Sequence, residues 1–90
     1  MSAGAAGGPV RAEQLELRAL RQVSEGGVSI AEGGYVHHGR PVAGELAQAL
    51  VRLNAAGYLT IGPPGSAGHR PVHTTAAGAA RAAELGDRHD

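Results

Sequence analysis

Large apolar side chains are scarce in this 90-residue chain, and that scarcity limits what it can fold into. Of its 38 apolar residues 18 are alanine, leucine, valine and isoleucine together number 17, and phenylalanine is absent. Glycine and proline take another 20 positions that add little to a core. The large aliphatic content therefore sits near the roughly 20% level below which chains stay unfolded. The other half of the disorder signature, a high net charge, is missing, because eight arginines balance eight acids. One small, ordered, marginally stable domain is predicted, with burial against a partner contributing to its stability.

The same composition excludes several classes. No apolar run approaches the ~18 residues that span a bilayer, so no membrane partner is expected. With no cysteine there is no disulfide framework, thiolate zinc site or cysteine nucleophile. No basic-then-apolar leader opens the sequence, which makes the cytoplasm the expected compartment.

Residues 1–9, MSAGAAGGP, lack apolar periodicity and read as a disordered leader, with the domain over 10–86 and a frayed tail over 87–90. From Arg11, Leu15, Ala19 and Val23 form one helical stripe with Leu17 and Leu20 beside it, and Gly26–Gly27 end the helix. The stretch VSIAEGGYVHHGR carries Gly33, Gly34 and Gly39 and reads as irregular with one turn of helix, pinned to the core by Tyr35 and Val36. Pro41 has the position expected at the start of a second helix, 41–56. Val42, Leu46, Leu50 and Leu53 make its apolar stripe, and Gly57 terminates it.

After Gly57, YLTIG and RPVHT alternate apolar and polar residues around a loop of turn formers, which predicts a two-stranded ribbon over 58–75. Pro63, Pro64 and Pro71 remove three donors and place that ribbon at an edge. Thr75 is placed to cap a last, alanine-rich helix that Gly86 ends.

Two segments resemble the MarR and PadR-like winged-helix regulators. Leu46 to Leu59, within ELAQALVRLNAAGYL, resembles their recognition helix running into "x-x-L-x-x-A-G-Y/L-L" at the first wing strand. Val72 to Gly78, VHTTAAG, is similar to their "hydrophobic-x-L-T-x-x-G" close of the wing, with Thr75 and Gly78 on the T and the G and Thr74 where the family has leucine. The middle departs from the pattern: IAEGGYVHHGR stands where the family has a full positioning helix, with Tyr35 and Val36 in its place, and only the minimal core is matched. The resemblance implies an α+β winged helix-turn-helix of about three helices plus a two-stranded β-hairpin wing. It also implies sequence-specific binding of duplex DNA, by a transcriptional regulator or a mobile-element or phage accessory protein.

On that reading the helix 41–56 enters the major groove and the wing 58–75 meets the backbone or minor groove. Gln48 is suited to a bidentate contact with adenine, Arg40 and Arg52 to guanine or phosphate, and Glu45 to the cytosine amine, with Gly44 in the approaching turn. Ser66, His69 and Arg70 fall on the wing. Between Val36 and Thr75, Arg40, Arg52 and Arg70 outnumber Glu45, a local balance of +2 in a neutral chain. So few phosphate contacts per subunit call for a homodimer, built from the first and last helices. Neutrality and Glu45 favour the alternative, a winged helix that binds protein and no nucleic acid.

His37, His38, His69 and His73 are the residue type of metal sites, but adjacent His37 and His38 diverge on an extended chain and no cysteine assists, so no metal is expected. Ser24, Ser29 and Ser66 lack a nucleophile-elbow context and GGYVHHG lacks the lysine of a phosphate-binding loop. No enzyme activity, cofactor or small-molecule ligand is expected.

Overall fold

The computed structural model describes residues 3–65 and 68–89, with side chains from Val10 onward. Three helices and one antiparallel sheet form an α+β domain: α1 (Ala3–Glu25), β1 (Val28–Ala31), β2 (Gly34–His37), β3 (Arg40–Pro41), α2 (Gly44–Ala55), β4 (Leu59–Ile61), β5 (Arg70–Thr74) and α3 (Ala76–His89). The sheet order is β3-β2-β1-β5-β4. Among the described residues no helix is long and apolar enough to cross a membrane.

The few large aliphatics converge on one core. Leu17, Ala19, Leu20 and Val23 of α1 pack with Ala49, Leu50 and Leu53 of α2, Val28, Tyr35, Leu59 and Val72 of the sheet, and Leu85 of α3. Burial pushes the Tyr35 phenol above its ordinary pKa. Most of the stripes read from the sequence are buried, but Leu15 is half-buried outside the core, Leu46 is half-buried at its margin, and Val42, also half-buried, lies before the helix.

Residues 28–41 are strands, not an irregular segment with a helical turn. Glu32–Gly33 links Ala31 to Gly34 in the β1–β2 register, and His38–Gly39 links His37 to Arg40 in the β2–β3 register. Both are two-residue hairpin loops with glycine second. At the second loop φ is +51° for His38 and +81° for Gly39, the pairing of a type I′ turn, whose twist matches that of the flanking strands. The glycines that read as breakers are hairpin turns. The turn also folds the rings of His37 and His38 onto each other, 4.2 Å between centroids, rather than letting them diverge.

Pro41 accordingly lies in β3, paired with Val36, and does not open α2. The helix begins at Gly44, whose φ of +66° turns the chain from the extended Ala43 into the first turn. A side chain there would be strained, so Gly44 serves the entry rather than weakening the helix. At the other end the Tyr58 amide donates to the Leu53 carbonyl (3.0 Å) and the Gly57 amide to Asn54 (3.1 Å), with Gly57 at φ +86°. This is a Schellman ending.

The ribbon forms in the expected place, with Leu59↔Thr74, Thr60↔His73 and Ile61↔Val72. It is not confined to an edge: β5 also pairs with β1, through Ser29↔Pro71 and Ile30↔Arg70, so only β4 is outermost. That second pairing is two residues long, which accommodates the donor missing at Pro71. Thr75 caps α3 by accepting the Gly78 amide at 3.0 Å, and its hydroxyl donates to the Gly57 carbonyl at 2.8 Å.

Both ends of the chain are more helical than their composition suggests. α1 starts at Ala3, inside the stretch read as a disordered leader, and runs through Gly4, Gly7, Gly8 and Pro9 although helix propensity there is low. α3 runs through Gly86 to His89 instead of ending in a frayed tail. Its last turn is held by side chains, with Arg88 donating to Glu13 at 2.9 Å and His89 2.8 Å from the same carboxylate.

Candidate nucleic-acid interface

The sequence-derived site residues fall on three elements, and the structure gathers only some of them. Gln48 and Arg52 lie one helical turn apart on α2, both exposed, in the wall of a shallow groove of about 390 Å³ with Ala47 and Val51. Val51 is 57% exposed, so this face is more apolar than a surface built for phosphates. Arg52 also borders a smaller hollow beside Glu16, whose carboxylate is taken by Arg81 at 2.6 Å. That hydrogen bond raises the Arg81 pKa above its ordinary value.

Glu45 does not face a base edge as a free carboxylate. Arg11 of α1 approaches both its oxygens, with Nη2 at 3.1 and 3.0 Å and Nε at 3.2 Å from Oε2. The pair is solvent-exposed and worth at most about 1 kcal/mol, but it screens the one acid of α2 and ties the start of the helix to α1.

On the ribbon, Arg70 is exposed and its Nε donates to the Gly62 carbonyl at 3.0 Å, which fixes the side chain along the wing loop. His69 is exposed, and its carbonyl accepts the Gly65 amide at 2.7 Å. Ser66 lies outside the described residues.

Arg40 stands apart from Arg52. It is exposed on β3 and borders a cleft of about 260 Å³ with Arg18 and Gln22 of α1, His37 of β2, and Pro41, Val42, Ala43 and Leu46. Sequence reading found Arg40 but missed Arg18, Gln22 and His37, because only the hairpin β2–β3 brings them together. Gln22 Oε1 and His37 Nε2 are buried with no hydrogen-bond partner among the described residues. An unsatisfied buried polar atom costs about 1–3 kcal/mol, so two in one cleft are unusual in a small domain.

The charge pattern follows from the packing of α3 on α1. Arg81 pairs with Glu16 and Glu84, and Arg88 with Glu13 and Glu84. Arg18, Arg40, Arg52 and Arg70, by contrast, have no acidic partner among the described residues. Glu13, Glu16 and Glu84 are thus paired where α3 packs on α1, and arginines without an acidic partner among the described residues are left on α1, α2, β3 and the ribbon. The described residues hold no group of three side chains arranged to bind a metal ion. Comparison with protein-family models, with curated proteins and with solved structures finds no match for this chain.

Proposed function

We propose that this domain is a minimal winged helix, of the kind its resemblance to MarR and PadR-like regulators implies, and that it binds duplex DNA. On this reading α2 is the recognition helix and β4–β5 the wing, in a small transcriptional regulator or an accessory protein of a mobile element or phage. It works as a homodimer and carries no enzymatic activity. The hairpin β2–β3 replaces the positioning helix: the Val42 amide donates to the Tyr35 carbonyl at 2.9 Å, and Tyr35 is buried.

The observation that carries the reading is the junction at Gly57. There the end of α2, the start of β4 and the cap of α3 meet through Thr75, leaving Gln48 and Arg52 exposed on the helix and Arg70 exposed on the ribbon. On this reading Arg40, Arg52 and Arg70 neutralise phosphates and Gln48 reads a base.

Affinity for random duplex DNA, measured as salt is raised, tests it. Three neutralised phosphates give a log–log slope of about −2.7 per subunit. No binding at low salt would overturn the reading and leave the protein-binding alternative, which the exposed Val51 and its apolar surroundings favour.

A further inference from the structure

The cleft between α1, β3 and the start of α2 is lined by Arg18, Gln22, His37, Arg40 and the apolar edge Pro41 to Leu46. We propose that it is a phosphate-binding site, taking a phosphate group with at most a small organic substituent.

Four independent features converge there. Two guanidiniums from separate elements border the cleft, and neither Arg18 nor Arg40 has an acidic partner among the described residues. No aspartate or glutamate lines it, whereas the neighbouring cleft along α1 includes Glu25. The nearest acid in sequence, Glu45, is held by Arg11. The N-terminal end of α2 adds Ala43 and Leu46 to the wall, and Ala43 supplies no side-chain cap, so the first-turn amides lack the acceptor that Ser, Thr or Asp would bring. Such amides and the positive end of the helix dipole favour an oxyanion.

His37 and Gln22 supply the fourth feature: both side chains border the cleft, and His37 Nε2 and Gln22 Oε1 are buried without partners, so a rotation that turns either toward the cleft breaks no hydrogen bond of those atoms. An imidazole N–H donates to a phosphate oxygen, and a glutamine amide does the same once the amide group turns over to present its nitrogen. At about 260 Å³ the cleft is smaller than sites for drug-sized molecules, which sets the limit on the substituent. Arg40 also belongs to the proposed DNA face. The start of α2 does too, but Arg18, Gln22 and His37 do not, so Arg18→Gln tests the cleft without touching the DNA reading.

A chemical-shift titration of the whole chain with inorganic phosphate, at constant ionic strength and without DNA, tests the site against a chloride control. Saturable shifts at the amides of residues 43–46 and at the side chains of Arg18 and Arg40 are expected with phosphate alone. Arg18→Gln should weaken binding at least about tenfold, while Arg88→Gln, which removes the same charge outside the cleft, leaves it unchanged. Ala43→Asp places a carboxylate where the anion sits, and should abolish binding while keeping the helix capped. Methyl phosphate and dimethyl phosphate then separate the sources. Tighter binding of the monoester identifies a small phosphorylated ligand and carries the proposal, whereas tighter binding of the diester points to a nucleic-acid backbone and overturns the limit on the substituent. Shifts that fail to saturate, that chloride reproduces, or that survive Arg18→Gln unchanged overturn it.

Discussion

The carbonyl oxygen of Tyr58 occupies the space that a β-carbon on residue 78 would need, and Gly78 alone lets α3 settle onto the end of the α2–β4 junction. The same carbonyl accepts the Thr75 amide at 3.0 Å. An alanine in a helix normally gains about 1 kcal/mol over glycine. Here Gly78→Ala forces backbone apart and should instead cost about 1–3 kcal/mol. Urea midpoints decide the sign, and a more stable variant would show that the approach is not tight.

Thr75 joins two elements through one hydroxyl, capping α3 while donating to Gly57. Thr75→Ala should cost about 1 kcal/mol and Thr75→Ser much less, since serine preserves both bonds. If thermal unfolding shows equal losses for both, the methyl group and not the hydroxyl is what matters.

His38 holds a left-handed backbone that asparagine adopts more readily, at the first position of a type I′ turn. His38→Asn is expected to raise stability by about 0.5 kcal/mol, within the range of turn optimisation. A drop in the unfolding midpoint would mean that the contact between the tilted His37 and His38 rings contributes more than relief of the turn strain returns.

The hydrogen bond from His89 holds the Glu13 carboxyl below its usual pKa, against an opposing effect of desolvation, with Arg88, His89 and Arg81 adding charge attraction. A depressed carboxyl contributes stability that is present above its unfolded value of about 4.5 and is lost as pH falls through the folded one. Melting temperature followed from about pH 6 down to about pH 3 should therefore fall less steeply for Glu13→Gln than for the parent chain. Parallel curves would show that the latch between α1 and α3 does not titrate.

Arg52 makes no ion pair among the described residues, so Arg52→Ala should leave stability unchanged within about 0.5 kcal/mol. On the DNA-binding proposal it weakens affinity by about 1–3 kcal/mol if it contacts a base, or lowers the salt slope by about 1 if it contacts phosphate. A destabilised variant would instead assign Arg52 a structural role beside Glu16.

The helical stripes of α1 and α2, the Gly57 ending, the ribbon and the Thr75 cap were legible because each rests on local periodicity or turn chemistry. The strands β1 to β3 were not. They are two to four residues long, below the span at which alternation can be counted, and their glycines carry the same signal whether they break a helix or turn a hairpin. The pairing of Glu45 with Arg11, 34 residues apart, and the meeting of Arg18 with Arg40 depend on tertiary packing that no local pattern encodes.

α2 is anchored at both ends: by Tyr35 and Arg11 at its start, and by the Schellman bonds and Thr75 at its finish. A rod supported at two points keeps its orientation whatever is written on its free side. Ala47, Gln48, Val51 and Arg52 can therefore be exchanged without unseating the helix, so the chemistry of that face is free to vary while the scaffold beneath it stays put.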